Sequence, residues 1–212
     1  MANTAFNVEG QVPVNASVHK KVNRNIHQSD EQAGSVPVGL SSTTTAVEYG
    51  NRVLHKTVIT CTATPITISD DAGVAQYGGV QVYDFPEGML NIQGGVIDGS
   101  LTAGVSGTIV DTYDGDVALG SATATTGATL TGTEADILQS TALTTAIAKV
   151  ANSDAISIAT ALTESGARWL DGTTTAKDLF LNFVIDDDGT HTAGTASFTG
   201  TISVVWMALG DN

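Results

Sequence analysis

The sequence holds a single cysteine, four prolines and only 5% aromatic residues in a chain of 212. One cysteine excludes an intrachain disulfide, so burial and hydrogen bonding must hold the fold. Charge is scarce as well, at 14% of residues, and 8 Lys/Arg stand against 22 Asp/Glu. A surface so poor in charge must be clad in Thr, Ser, Asn and Gly, which suits strands and turns better than helices. The longest purely apolar run, Val204–Leu209, is far too short to span a membrane, and no membrane partner is expected. The opening Met-Ala-Asn-Thr-Ala-Phe-Asn-Val-Glu has neither a basic nor an apolar stretch, so no secretory signal is expected. These absences point to a soluble protein kept in a cytoplasm, or assembled there into something larger.

The net charge of −14 is unevenly spread. Residues 1–56 carry five Lys/Arg and four acids, whereas residues 57–212 carry three Lys/Arg and 18 acids. An acidic body repels phosphate, so no nucleic-acid partner is expected.

What is present is β-patterning. In Lys177–Asp186, Leu179, Leu181, Phe183 and Ile185 fall on one face of an extended strand, with Asn182 and Asp186 on the other. Ser197–Leu209 repeats the alternation, with Phe198, Ile202, Val204 and Trp206 against Thr199, Thr201 and Ser203. With Asp187-Asp188-Gly189-Thr190 between them, the two runs read as an antiparallel pair sharing one core. Upstream, β-branched residues fill Arg52–Thr62 and Pro65–Ser69, and Gly78–Phe85 and Met89–Gly94 read as a hairpin around Pro86-Glu87-Gly88. Further strands are expected at 100–103, 108–113, 116–122 and 128–130. Turn signals at this spacing predict an all-β, antiparallel sandwich or jelly-roll-like body over residues 49–212. One short helical insertion is expected over Ala135–Val150, after the capping-box spacing of Thr131 and Glu134. Ser153–Leu162 suits either a strand or a helix.

Residues 1–48 read as an extended N-terminal arm, broken by Pro13, Pro37, Gly34 and a Ser/Thr run. Its only basic cluster is Lys20, Lys21 and Arg24, flanked by Val18, Val22 and Ile26. Such a segment can order on contact with a neighbouring subunit or a shell. These six residues are the candidate contact residues.

No Gly-x-Ser-x-Gly, His-Glu-x-x-His, Walker or Gly-x-Gly-x-x-Gly pattern occurs, so no enzyme and no cofactor are expected. Cys61, between Thr60 and Thr62, reads as a small core residue. His19, His27 and His55 lie in or near the arm and His191 in the body, which argues against a histidine metal site. Asp111, Asp114 and Asp116, and Asp186–Asp188, offer hard oxygen ligands that suit Ca²⁺. Neither has the Asp-x-Asp-x-Asp-Gly register and Asp-Gly is ordinary turn chemistry, so no metal is assigned; any Ca²⁺ there would be structural. Tyr49, Tyr77, Tyr83, Tyr113, Trp169 and Trp206 are too scattered to form a sugar-stacking platform.

Three stretches carry a family resemblance. They are Tyr83-Asp-Phe-Pro-Glu-Gly88 with Asn91–Gly95, Tyr113–Gly120 with Thr129–Ile137, and Asp171–Asn182 with Gly200–Trp206 and Gly210-Asp211. Together, over about residues 78–212, they resemble virion structural proteins of tailed bacteriophages, especially those infecting marine bacteria. The resemblance implies a capsid decoration (cement) protein, assembled in the host cytoplasm and bound to the outside of the head. Its implied partners are the major capsid protein and itself, as a homo-oligomer, with a trimer at local threefold positions. The family has no catalytic residues to transfer. A tail, fibre or head-fibre component contacting the host, and a carbohydrate-active domain, remain the alternatives.

Overall fold

The computed structural model describes residues 34–50, 53–71, 75–103, 112–113, 115–142, 147–148, 154–160, 169–186 and 192–210. Its strands in chain order are β1 (Thr44–Gly50), β2 (Leu54–Asp71), β3 (Ala75–Asp84), β4 (Gly88–Ala103), β5 (Thr112–Tyr113), β6 (Gly115–Gly120), β7 (Leu138–Ala142), β8 (Ile147–Ala148), β9 (Asp154–Thr160), β10 (Trp169–Gly172), β11 (Asp178–Asp186) and β12 (Gly194–Ala208). Helical geometry among the described residues is limited to two 3₁₀ turns, Val38–Leu40 and Gly132–Glu134. The all-β expectation holds.

Ten strands form one antiparallel sheet in the order β10-β4-β12-β2-β3-β11-β6-β7, with β1 added beside β2 and β9 beside β4. The long β2 is its spine. Its first half pairs with β1 and its last residues with β3, while β12 runs along the other edge. Midway, Thr62 and Ala63 both face Thr199 of β12, and Ala63 takes a left-handed conformation (φ 51°). Thr199 Oγ1 accepts the Ala63 N–H at 2.9 Å, which satisfies the donor that the extra residue frees. Such a bulge bends and twists the sheet, and here the sheet curls round its own core.

Leu179, Leu181, Phe183, Ile185, Phe198, Ile202, Val204 and Trp206 all lie in that core, fully buried, as their alternation predicts. Each such burial contributes about 1.5–3 kcal/mol. The two runs that carry them share the core without pairing. β11 pairs with β3 and β6, β12 with β2 and β4, and Phe183 meets Phe198 with ring centroids 6.4 Å apart.

The expected hairpin of β3 with β4 does not form either. On either side of Pro86-Glu87 the chain bonds elsewhere: Phe85 N–H to Lys177 O at 2.8 Å, and Met89 N–H to Gly210 O at 3.0 Å. With Gly88 at φ +121°, the stretch is a crossover corner between the two halves of the sheet, not a hairpin turn.

The helical insertion is overturned where it is described. Thr131 makes no side-chain cap, and Glu134 turns its carboxylate to Thr125 instead. Residues 138–142 then form strand β7 beside β6. Ile137 and Leu138 are both buried in the core, and the β-branched Thr141 suits the strand. The backbone of Asp154–Thr160 is also a strand, β9. Residues 128–130, expected to be a strand, run without regular structure. β1 begins inside the stretch read as an arm; of that stretch, residues 1–33 lie outside the described residues.

Candidate functional site

Alternation along β10, β4, β12, β2 and β1 separates an inward from an outward row of side chains. In β2, His55, Thr57, Ile59 and Cys61 are buried, so Leu54, Lys56, Val58 and Thr60 face out. In β12, Trp206, Val204 and Ile202 face in, leaving Met207, Val205 and Ser203 outward. The pairing registers align these outward residues in rows. One row is Trp169 of β10, Asn91 of β4, Met207 and Leu54. The next is Gly94, Val205, Lys56 and Tyr49 of β1; the third is Val96, Ser203, Val58 and Val47. Beyond them the chemistry changes to Asp98, Thr201, Thr60 and Thr45.

The three apolar rows hold five of the eight large hydrophobic residues that are exposed among the described residues. Trp169 is 59% exposed, Val47 50% and Leu54 46%. Two more, Val53 and Leu209, border the same end, where Val53 O accepts the Ala208 N–H. Apolar side chains gathered on one face and edged by polar residues mark an interaction surface.

Behind this face lies a buried polar knot. Trp206 Nε1–H donates to Thr57 Oγ1 at 2.8 Å, and Thr57 Oγ1 donates to Glu48 Oε1 at 3.4 Å. The Tyr83 hydroxyl donates to the same Glu48 oxygen, and the Gly34 N–H reaches it at 3.5 Å. Glu48 Oε2 stands 3.8 Å from His55 Nδ1. The His55 ring stacks on Trp206 at 4.1 Å and 10°, and Phe85 meets Trp206 edge-on at 5.4 Å. Burial, then the Glu48 carboxylate, push the Tyr83 phenol well above its ordinary value, so it remains a donor. Glu48 Oε2 and His55 Nε2, though buried, have no hydrogen-bond partner among the described residues.

A carboxylate, a phenol and an imidazole together resemble an acid–base set. This set is sealed under the sheet, so its structural effect is to fasten β1, β2, β3 and β12 to one another. Gly34 and Ser35 are fastened with them, since Ser35 and Asp84 exchange two backbone hydrogen bonds at 2.8 Å. The sequence alone puts His55 near the arm and the arm's end at Glu48, whereas the fold buries both in one knot. The signal that could have found the knot was alternation, which counts back from Ile59 through Thr57 to an inward His55.

A second network covers the outward face of β11. Asn182 is fully buried; its amide donates to Ala122 O and Glu134 O at 2.9 and 2.8 Å and its carbonyl accepts the Ala124 N–H at 2.9 Å. Asp136 accepts from Ser121 N–H and Oγ–H at 2.7 and 2.6 Å, and burial raises its carboxyl above the ordinary value. Segment 121–137 is thereby held over Ala118 and Val184, with its own Ala124 and Leu130 packed against them.

Of the residues singled out from sequence, Val18, Lys20, Lys21, Val22, Arg24 and Ile26 lie outside the described residues, as do Asp111, Asp114, Asp187 and Asp188. Asp116 sits in β6 opposite Val184. No cluster of three His, Cys, Asp or Glu suited to a metal is found among the described residues. Cys61 is buried as expected, and burial pushes its thiol up. Trp169 is on the apolar face and Trp206 in the core. Comparison of the chain with family models, curated proteins and solved structures finds no match.

Proposed function

We propose that this chain is a virion structural protein that decorates the head of a tailed bacteriophage, docking its N-terminal segment on the major capsid lattice. The observation that carries the reading is the fastened root of that segment. Gly34 bonds to Glu48 and Ser35 to Asp84, so residues 1–33 depart from a fixed point on a rigid sheet. Those residues hold Lys20, Lys21 and Arg24, while residues 57–212 carry 18 acids against three Lys/Arg. A near-neutral tether with one basic cluster, on an acidic body, can approach an acidic shell that the body alone would be repelled by. Ordering such a tether costs about 1–2 kcal/mol per residue in backbone entropy, so it stays docked only where contacts are many. The apolar contact would come from Val18, Val22 and Ile26. The resemblance over about residues 78–212 supports the same reading.

Two measurements test it. Mass spectrometry of purified particles should count this chain in numbers comparable to the major capsid protein; a handful of copies would place it in the tail. A chain lacking residues 1–30 should fold, because Gly34 and everything in the knot are retained, yet fail to occupy shells. Normal occupancy by the truncated chain would refute the docking role.

A further inference from the structure

The outward face of β10, β4, β12, β2 and β1 presents Trp169, Met207, Leu54, Tyr49 and Val96 in register around a single cation, Lys56. We infer that this face is where two copies of the chain meet, sheet against sheet. The inference does not depend on the capsid reading, since it concerns the free protein.

Charge selects the occupant. The chain carries −14, so two copies repel over most of their surface. The three apolar rows contain no acidic side chain and one lysine, and among the described residues the nearest outward carboxylates are Asp98 and Asp171 at the two ends. A symmetric contact places the same patch on both sides, so residue i meets j and j meets i. Lys56 of each copy can then turn to a carboxylate of the other while the apolar rows close between them.

Size fits as well. Four strands about 4.8 Å apart, with outward rows from Met207 to Thr201 at about 3.4 Å per residue, give a plane on the order of 20 Å by 20 Å, and Trp169 of β10 extends its apolar end. That is roughly half of the 800 Å² per partner of a standard interface, which suits association at micromolar concentrations. The rest of the fold adds a contrast. The outward face of β11 is covered by the chain's own segment 121–137, whereas this face is left to a partner.

The test is mass in solution, by light scattering or sedimentation of the full chain over micromolar concentrations. The expected result is twice the 21.6 kDa chain mass, with association weakened by more than about tenfold in Leu54→Glu and in Trp169→Ala. Both residues are exposed, so Leu54→Glu should keep the wild-type near-ultraviolet signal, and Trp169→Ala, which deletes an indole, should keep the wild-type unfolding midpoint. A monomeric wild type overturns the inference, even if Leu54→Glu then loses shell binding, because the face would belong to the lattice. It also falls if the oligomer survives both substitutions, or if deleting residues 1–30 dissolves it while Leu54→Glu does not. Lys56→Glu gives a finer reading. Weaker association together with lost salt sensitivity supports the ionic pairing, and an unchanged salt profile removes it.

Discussion

The two halves of the curled sheet share a core but differ on their outer sides. Over β11, β6 and β3, segment 121–137 lies across the strands and seals Ala75, Ala118 and Val184 with its own Ala124 and Leu130. Over β4, β12, β2 and β1, comparable apolar rows stay exposed. The difference traces to one buried side chain. Asn182 offers two donors and an acceptor at the centre of its strand, and segment 121–137 takes all three. Gly79 lies beside it because a Cβ there would overlap Asn182 Oδ1 and Thr123 Oγ1. The matching positions of the other half are Ser203, Val205 and Met207, which offer a covering segment little to bond. The covered face carries a fully buried polar anchor, and the exposed one carries none among the described residues.

The largest expected effect belongs to what both halves share. Trp206→Ala removes a fully buried indole, its bond to Thr57 and the stack on His55, and Phe183→Ala empties the contact with Phe198. Each should cost about 3–5 kcal/mol in urea or thermal unfolding. Wild-type melting of both variants would mean that the halves do not share a core. Asn182→Leu comes next, because it leaves Ala124 N–H, Ala122 O and Glu134 O without their partner. At about 1–3 kcal/mol per buried group, partly recovered by water, an overall loss of roughly 2–4 kcal/mol is expected. Hydrogen exchange should speed up across 121–137 and stay unchanged in β12. Val205→Ala, on the exposed face, should change monomer stability by less than about 1 kcal/mol. A large loss there would show that the two outer sides are not different in kind.

The apolar faces of β11 and β12 were legible because period-two alternation survives any choice of neighbour. Their partners were not. A polar turn between two alternating runs suggests a hairpin, and nothing local reports that β2 will enter between β12 and β3. The helix expected after Thr131 failed for a similar reason: Ile137 and Leu138 are needed side by side in the core, and tertiary burial outweighs a cap motif. The buried knot was legible in part. Alternation places His55 inward, but its partners Glu48, Tyr83 and Trp206 come from three other strands, so only the fold unites them. The apolar face needed the registers. Val47, Leu54, Val96 and Trp169 look like singly scattered hydrophobics until pairing sets them in adjacent rows.

The knot and the cover also separate by pH, and Tyr83 gives the larger of the two effects. Its folded pKa lies above the ordinary tyrosine value of about 10, so the native state keeps a proton that the unfolded chain loses. Protons bound in excess by the native state make stability fall as pH rises, here from about pH 10 upward. In Tyr83→Phe that alkaline slope should flatten, while stability near neutral pH drops by about 1–3 kcal/mol because Glu48 loses a donor. An unchanged slope would detach the phenol from the knot.

Asp136 gives the smallest and most local effect. Burial is the leading cause that raises its carboxyl, ahead of the bonds from Ser121 that lower it. For an acid with a raised folded pKa, the protonated form is favoured in the native state. Its contribution is therefore fully present below the ordinary carboxylate value of about 3.9 and is lost as pH rises through the window just above. Asp178, raised by burial and by the neighbouring Asp84, has the same sign, so wild type alone cannot isolate Asp136. Asp136→Asn can. The amide keeps an acceptor for the Ser121 N–H and offers a donor to Ser121 Oγ, so the cover stays on while the titration is deleted. Subtracting the denaturation profiles of the two proteins across the acid range should leave a curve that is flat at neutral pH and steps only in that window. A difference that slopes throughout would mean that the substitution had disturbed the segment itself, and hydrogen exchange of 121–137 would show it directly.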